Sequence, residues 1–569
     1  MKYFKYIYQL IFFLSFYLII LSSEIEPQTA NIYYSKVSNK YKVKYEPINK
    51  ETSLAYLKYT PSYEKEGWDK LIVSSSDKPD SIYSDSTKNY GMGYLEGYVT
   101  YKRIYDHYRN NNNYKFYKNK GIMPEYLENF FISNLNYIKK MCDLYSETDP
   151  YFHEVNNYYY QMIGILDGYN SRVLEEKNKN ISIDIEQITL PHFMAIISVG
   201  DIDELEYLNK SQRVNYTNMT SEEIKNYVNE RLHCSALIKA APDFSNIWFG
   251  HSTWSGYNRL IKMFKEYRYY PGGKFKVKAN TILVSGYPGA INSNDDFYIT
   301  DAYLYVMETT NNVFNNSLFD NLTPENFTCW LRTMLALRLA DNGKEWTDIF
   351  KKYNSGTYNN QFMILDLKLI NTEKKDISDG ALYIIEQLPG YCGVSEVTDY
   401  LRKGYWPSYN TPFIQEIRDL GGYTQILKER PDLYDSYDYS GCARANIFRR
   451  DQSSVKDINT FYKLLRYNDF KNDPLSKGDP GNVIAYRGDL DKSNSCFGAT
   501  DLKFSSVNDI KNKNGTKKVY LINGPTKEQQ EVFDWSNTTC IQSNPTRFKT
   551  YGQVNRYDFD VIEYNVELW

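Results

Sequence analysis

The sequence predicts a layered α+β body, and three observations carry that expectation. Downstream of residue 234, strand-like apolar runs recur at 281–285, 297–307, 362–370 and 381–385. Between them, 324–340 and 344–353 have helical periodicity, with Trp330, Met334 and Leu337, then Trp346, Ile349 and Phe350, on apolar faces. A composition of 42% hydrophobic and 24% charged residues over 569 positions supplies enough apolar material for a large core. Strand clusters separated by helix pairs read as stacked sheets covered by helices.

The elements follow in chain order. Residues 1–23 begin with Lys2 and Lys5, turn apolar from Leu10 to Leu21 and end in Ser22-Ser23. That is the order of a secretory signal peptide, and the run is too short to span a membrane comfortably. Tyr41-Lys42-Val43-Lys44-Tyr45 and Trp68-Asp69-Lys70-Leu71-Ile72-Val73 suggest strands. The glycines of Tyr90-Gly91-Met92-Gly93-Tyr94-Leu95-Glu96-Gly97 open a helical region. With no lysine at P-loop spacing, they suit close helix packing better than phosphate binding. Residues 124–141 form an amphipathic helix with Leu127, Phe130, Phe131, Leu135 and Ile138 on one face, and 151–175 is helical too. From 177 to 233 the chain turns polar and reads as an exposed linker, dividing an N-terminal fragment, 24–233, from a C-terminal one, 234–569.

Composition narrows the function. A net charge of −3 and no basic stretch with interleaved aromatics argue against nucleic acid. Five histidines and no Cys-x-x-Cys argue against a metal site, and no cofactor is expected. Sequons stand at Asn180, Asn209, Asn215, Asn218, Asn315, Asn321, Asn326, Asn514 and Asn537. Seven cysteines, an odd number, fit one free thiol with up to three disulfides in an oxidising compartment, Cys496 with Cys540 being a plausible bridge. A secreted protein, or one of the endosomal or lysosomal lumen, is expected.

The stretch richest in chemistry is 233–254. Cys234 is followed by the small Ser235 and Ala236, and His251 lies seventeen positions on. A strand, a turn and a return strand would bring the two together. No G-x-S-x-G elbow occurs, since Gly250-His251-Ser252-Thr253-Trp254 lacks the final glycine, so a serine esterase is not expected. The thiol is the better nucleophile.

His233-Cys234-Ser235-Ala236-Leu237-Ile238, Gly250-His251-Ser252-Thr253-Trp254, Tyr287-Pro288-Gly289, Asp295-Asp296-Phe297-Tyr298 and Met307-Glu308-Thr309-Thr310 resemble the phospholipase B-like family of N-terminal nucleophile hydrolases. Asn354-Ser355-Gly356-Thr357-Tyr358-Asn359-Asn360-Gln361, Glu386-Gln387-Leu388-Pro389-Gly390, Ile447-Phe448-Arg449-Arg450 and Arg466-Tyr467-Asn468-Asp469-Phe470 extend the resemblance in the same order. It implies a four-layer αββα fold of two stacked, mostly antiparallel sheets, with Cys234 starting a central strand. It further implies hydrolysis of fatty acyl chains from glycerophospholipids, after the His233–Cys234 bond is cut to expose Cys234 as nucleophile.

The chemistry is coherent. A thiol of ordinary pKa about 8.5 needs a base, and an α-amino group near 7.7–8.0 supplies one. The resemblance gives His251 the task of polarising the nucleophile or its amine. Thr310 and Asn354 are candidate oxyanion donors, although Asn354 also suits a turn. Trp254 would line the pocket or pack in the core. Arg444 could hold a carboxylate, a phosphate or the surroundings of the new amine, or form a structural ion pair. The same parts suit an N-acyl amide as substrate, and a non-catalytic secreted glycoprotein of this fold is a third reading. The partners expected are an acylated small molecule and no membrane-spanning segment in the mature form, with the two fragments staying together.

Overall fold

The computed structural model describes residues 25–35, 37–38, 40–77, 83–179, 184–229, 234–491, 494–513, 515–543 and 547–567. The signal-like run, His233, Asn180 and Asn514 lie outside the described residues.

Two sheets organise the chain. The larger has eleven described strands, running from Tyr391–Glu396 at one edge to Lys40–Lys44 at the other. Its neighbours are antiparallel except Trp68–Ser75, which lies parallel to Lys262–Arg268. The smaller has six, in the order Tyr405–Ser408, Ser235–Ala240, Ile247–Ser252, Asp501–Ser506, Lys518–Asn523 and Ile562–Asn565, all antiparallel.

Period-two alternation sets the layers. Ala236, Ile238 and Ala240 share one core with Phe264, Leu283, Tyr305 and Met363 of the larger sheet, whereas Leu237 points the other way, among Ile447, Phe448, Phe461 and Leu465. In the larger sheet Met263, Ile282, Val306 and Ile364 face the helices through Met92, Leu95, Ile165 and Leu331. Helix, sheet, sheet and helix therefore stack in that order, the layered α+β body that the strand and helix clusters predict.

Local expectations fare differently. The helix expected from 124 is Glu125–Tyr145, with Pro124 extended at its N-cap. Residues 297–307 are a hairpin, Phe297–Thr300 and Leu304–Thr310, because Tyr303 turns the chain at φ 60°. Only part of 177–233 is exposed linker. Phe193 to Ile197, Asp201, Ile202, Glu204 and Leu205 are buried, so an apolar and acidic segment hidden among polar neighbours dips into the body. Asn215, Asn218, Asn321 and Asn537 are exposed, and Asn209 and Asn315 are half-buried. Asn326 is the exception among the described sequons. It is buried and its amide donates to the Thr323 carbonyl, leaving no room for a glycan.

Cys496 and Cys540 form the expected bridge. Cys142, Cys234, Cys329, Cys392 and Cys442 are free, five thiols where one was expected. Cys142 and Cys329 are buried on different helices of one layer, and Cys442 lies in the other helical layer.

The glycines of Asp85–Val99 serve helix packing. A Cβ at Gly97 would stand 1.9 Å from the Ile165 carbonyl oxygen and one at Gly93 2.0 Å from that of Gln161, both in the Pro150–Asn178 helix. Gly164 and Gly168 return the contact against Tyr90 and Tyr94. Gly97→Ala must push two backbones apart, so a loss of at least about 3 kcal/mol is expected in urea unfolding, the upper end for overpacking. Gly478→Ala, at φ 75° with nothing within 4 Å, should cost only about 1 kcal/mol for its left-handed backbone. Equal losses in the two variants would refute the close-approach account.

Candidate active site

Cys234 is the residue before the Ser235–Ala240 strand, wholly buried, with φ 110°. Every other non-glycine residue described at positive φ lies between 45° and 65°, so Cys234 alone sits outside the left-handed well, a conformation that stores about 1–3 kcal/mol. Its carbonyl accepts a hydrogen bond from Arg444 Nη1 at 2.8 Å, and the same nitrogen reaches Ser235 Oγ at 3.3 Å. The Arg444 guanidinium lies 4.4 Å over the Trp254 ring. Thus Arg444 and Trp254 meet at the nucleophile candidate, and Trp254 also donates from Nε1 to the Ile484 carbonyl.

The Ile247–Ser252 strand returns beside Ser235–Ala240 with Ala236 opposite His251, as the spacing predicts. Ligand atoms of Cys234, His251 and Asp296 lie within 4.8 Å of one another, all buried. Such a trio has the residue types of a metal site. Asp296 accepts from the Tyr358 hydroxyl at 2.7 Å, and Glu308 is buried beside it. Burial pushes the Glu308 carboxyl well up, with Asp296 adding to the effect. Burial, then Glu308 and Asp296, push the Cys234 thiol well up too. In the intact chain the thiol is therefore neutral and needs a base.

Thr310 ends the Leu304–Thr310 strand, buried, its hydroxyl without a hydrogen-bond partner among the described residues. Asn311 and Asn360 alongside have unpartnered buried amides as well. Donors this poorly satisfied are costly unless something is to be bound there. Asn354 behaves differently. Its amide donates to the Leu388 and Tyr391 carbonyls, and its oxygen accepts from the Gly356 amide. It braces a turn, and the structure does not bring its side chain to Cys234.

Several residues at this place were given no role by the sequence. Continuing the pairing of Ser408 with Ala236 by two residues carries Asn410 toward Cys234, and the Asn410 amide donates to the Thr310 carbonyl at 2.7 Å. Lys503 stands opposite His251 across the sheet. Its signal is faint but present, since Asp501 and Lys503 alternate with Leu502 and Phe504, which places two charges on one face of a strand.

The segment upstream of the site covers it. Gly200 lies against the Tyr358 ring. Asp201 accepts from the Cys329 amide at 3.0 Å and the Thr357 hydroxyl at 2.5 Å, and Glu204 from the Tyr358 amide at 3.1 Å. Two cavities remain beside Tyr358: one of about 30 Å³ bordered by Trp254, Arg259 and Asp296, the other of about 20 Å³ bordered by Thr310 and Asn311. Each has room for a water or two, and neither for an acyl chain.

Comparison with known proteins fits this geometry. Residues 55–564 match the Phospholipase B family. The chain belongs to that family. It is 35% identical to phospholipase B-like protein D of Dictyostelium discoideum, over 90% of this chain and 88% of the relative. It is 34% identical to phospholipase B-like 1 of Bos taurus, over 89% and 88%, and 33% identical to phospholipase-B 81 of Drysdalia coronoides, over 94% and 92%. The family match takes in nearly all of both sheets, leaving out Gln28–Ser35 and Lys40–Lys44, and both sides of Cys234.

Burial raises Asp201 to about 6 and Glu204 to about 8, and Glu154 and Glu386 to about 7. Folded carboxyls that keep protons the unfolded chain would release, with ordinary values near 4, make stability greatest at low pH. It is lost as pH rises through 6–8. His107, lowered by burial to about 3, and His251, lowered by burial and Lys503, oppose this, but the carboxyls outnumber them. The unfolding temperature should be higher at pH 5 than at pH 8, and Glu204→Gln, which mimics the protonated acid, should narrow that gap by raising the value at pH 8. An unchanged gap in scanning fluorimetry would show that Glu204 is ionised in the fold.

Proposed function

We propose that the protein is an N-terminal nucleophile hydrolase that removes fatty acyl chains from glycerophospholipids, with Cys234 as nucleophile once the His233–Cys234 bond is cut. The observation that carries this reading is the strained, buried Cys234 at the head of a central strand, its thiol grouped with His251 and Asp296 and its carbonyl bonded to Arg444. Helix, sheet, sheet and helix in layers support the αββα fold of that class.

In self-cleavage the thiol adds to the His233 carbonyl. The C–N bond breaks, the α-amine of Cys234 is released, and water hydrolyses the thioester. In turnover the thiol proton passes to that amine as sulfur attacks the ester carbonyl. The amine returns the proton to the departing alkoxide as the C–O bond breaks, and water then frees the fatty acid. Thr310, Asn311 and Asn410 are the neutral donors best placed for the oxyanion. The covered site of the intact chain accords with a precursor that admits substrate only after the segment before Cys234 has moved. The relatives' names supply the acyl-lipid substrate, and the sequons supply the secretory or endolysosomal location. Described helices long and apolar enough to cross a membrane are absent.

Intact mass and amino-terminal sequencing of protein from a secretory host test the first step. Wild type should yield a fragment beginning Cys234-Ser235-Ala236, and Cys234→Ala should not. Arg444→Ala, which removes a charge-assisted hydrogen bond, should slow cleavage about 10- to 100-fold. An uncut wild type at acidic pH would remove the α-amine from the mechanism and favour the non-catalytic glycoprotein. Hydrolysis of N-acyl amides but not phospholipids by cut protein would move the reading to an amidase. Peptide mapping of the same material should find no glycan at Asn326.

A further inference from the structure

Lys503 decides which nitrogen of His251 carries the proton. Its ammonium has three N–H groups and three acceptors at bonding distance: Thr253 Oγ1 at 2.6 Å, Asp501 Oδ1 at 2.8 Å and His251 Nδ1 at 3.2 Å. The Asp295 carboxylate at 3.6 Å completes the shell. An ammonium can only donate, so Nδ1 of His251 must accept. Thr253 cannot take that place, because its hydroxyl hydrogen goes to the Asp295 carbonyl at 3.0 Å and its contact with Nδ1 is 3.4 Å long. Nδ1 is therefore bare and Nε2 carries the proton.

That Nε2 makes no hydrogen bond among the described residues and is fully buried. It lies on the ring that shares a 4.8 Å cluster with the Cys234 thiol and Asp296. The main-chain carbonyl of Glu308 can only accept and is the weak partner beside that N–H, which a stronger acceptor at Cys234 would displace. The titratable groups around the ring are Lys503 and Asp501 on one strand, Lys262 on the facing sheet, Asp295 and Asp296 on the loop before Phe297–Thr300, and Glu308 on Leu304–Thr310. Burial and Lys503 together keep the imidazole from taking a second proton.

We propose that Lys503 is a positioning residue that fixes His251 as a neutral imidazole with its proton on Nε2, and that His251 thereby acts as a hydrogen-bond donor to the negative charge developing at Cys234, not as a base. The tautomer stands on the hydrogen bonds alone, whereas the donor role rests on Cys234 being the nucleophile. No proton leaves His251 in either half of the reaction.

Two measurements test the two halves separately. In the uncut Cys234→Ala protein, labelled with ¹⁵N-histidine, the His251 resonances should report the neutral Nε2–H form from pH 5 to 8. In Cys234→Ala carrying Lys503→Met, which removes the donor and the charge but not the burial, the imidazole should take its second proton at a higher pH than in Cys234→Ala alone. A proton found on Nδ1, or a cation at pH 5, overturns the tautomer whatever the fate of the hydrolase reading. In chains that retain Cys234, self-cleavage rates test the role. His251→Gln offers an amide donor but no base, and should cleave within about 10-fold of wild type, whereas His251→Ala should be about 100- to 1,000-fold slower. Gln as slow as Ala, in variants with equal unfolding temperatures, overturns the donor role. Lys503→Met should cleave with a new dependence on pH that follows the raised titration of His251 and that His251→Gln abolishes in the double variant, and absence of that dependence also counts against the proposal.

Discussion

Three lysines among the described residues are wholly buried, and the site depends on how the charges of two of them, Lys262 and Lys503, are met. Lys262 belongs to the larger sheet and Lys503 to the smaller. Lys262 is 2.5 Å from Asp295 and 2.7 Å from Asp501, and Lys503 is 2.8 Å from Asp501. Ser285 and Tyr287 donate to Asp295 as well. Buried ions are tolerated when paired and fully hydrogen-bonded, and removing one partner costs about 3–5 kcal/mol. The cluster therefore ties the two sheets together at one point. Arrangements that keep all four charges satisfied are few, which fixes the Asp295-Asp296 turn, His251 and the strand head at Cys234 relative to one another.

The same seam bears on the fate of the chain after a cut at residue 233. Trp68–Ser75 precedes that bond and Lys262–Arg268 follows it, yet they pair along seven positions in the larger sheet. Lys265 meets Glu96 at 2.8 Å with both side chains buried, and Tyr267 donates to the other oxygen of Glu96 at 2.6 Å. Separating the fragments would open a sheet, uncover a core and leave a buried ion unpaired. The physical cost of each lies on the side of association.

Much of this was legible in the sequence, for identifiable reasons. Period-two runs and amphipathic helices carry their layer assignment within them, so Leu237 and Ile238 declare opposite faces. The seventeen-residue spacing from Cys234 to His251 folds as a hairpin because Pro242 to Asn246 turns the chain between two apolar strands. Long-range polar pairing left weaker traces. Nothing local tells that Lys503 will face a histidine 252 positions away, or that Asn410 rather than Asn354 approaches Cys234. The buried acids of 201–204 were hidden by polar neighbours, since burial there depends on acceptors offered to the 357–359 backbone and not on periodicity.

Charge accounting explains why such a site can be dormant. In the intact chain the thiol is neutral and, with Glu308 pushed up by burial, the acids facing it are reluctant to ionise. Lys503 also denies His251 a charge. Among the described residues none near Cys234 is a strong base, so in self-cleavage the thiol proton would have to pass to the departing amide nitrogen of Cys234 itself. An α-amine released at Cys234 would add the one basic nitrogen that is missing. The ammonium formed when it accepts the thiol proton would lie near Asp296 and Glu308, whose ionisation it would favour. The site's acids would then act as counterions only after the base exists. Burial that suppresses the nucleophile before cleavage would, once a cation enters, strengthen its hold on the proton in transit, because a low dielectric enlarges every pairwise term.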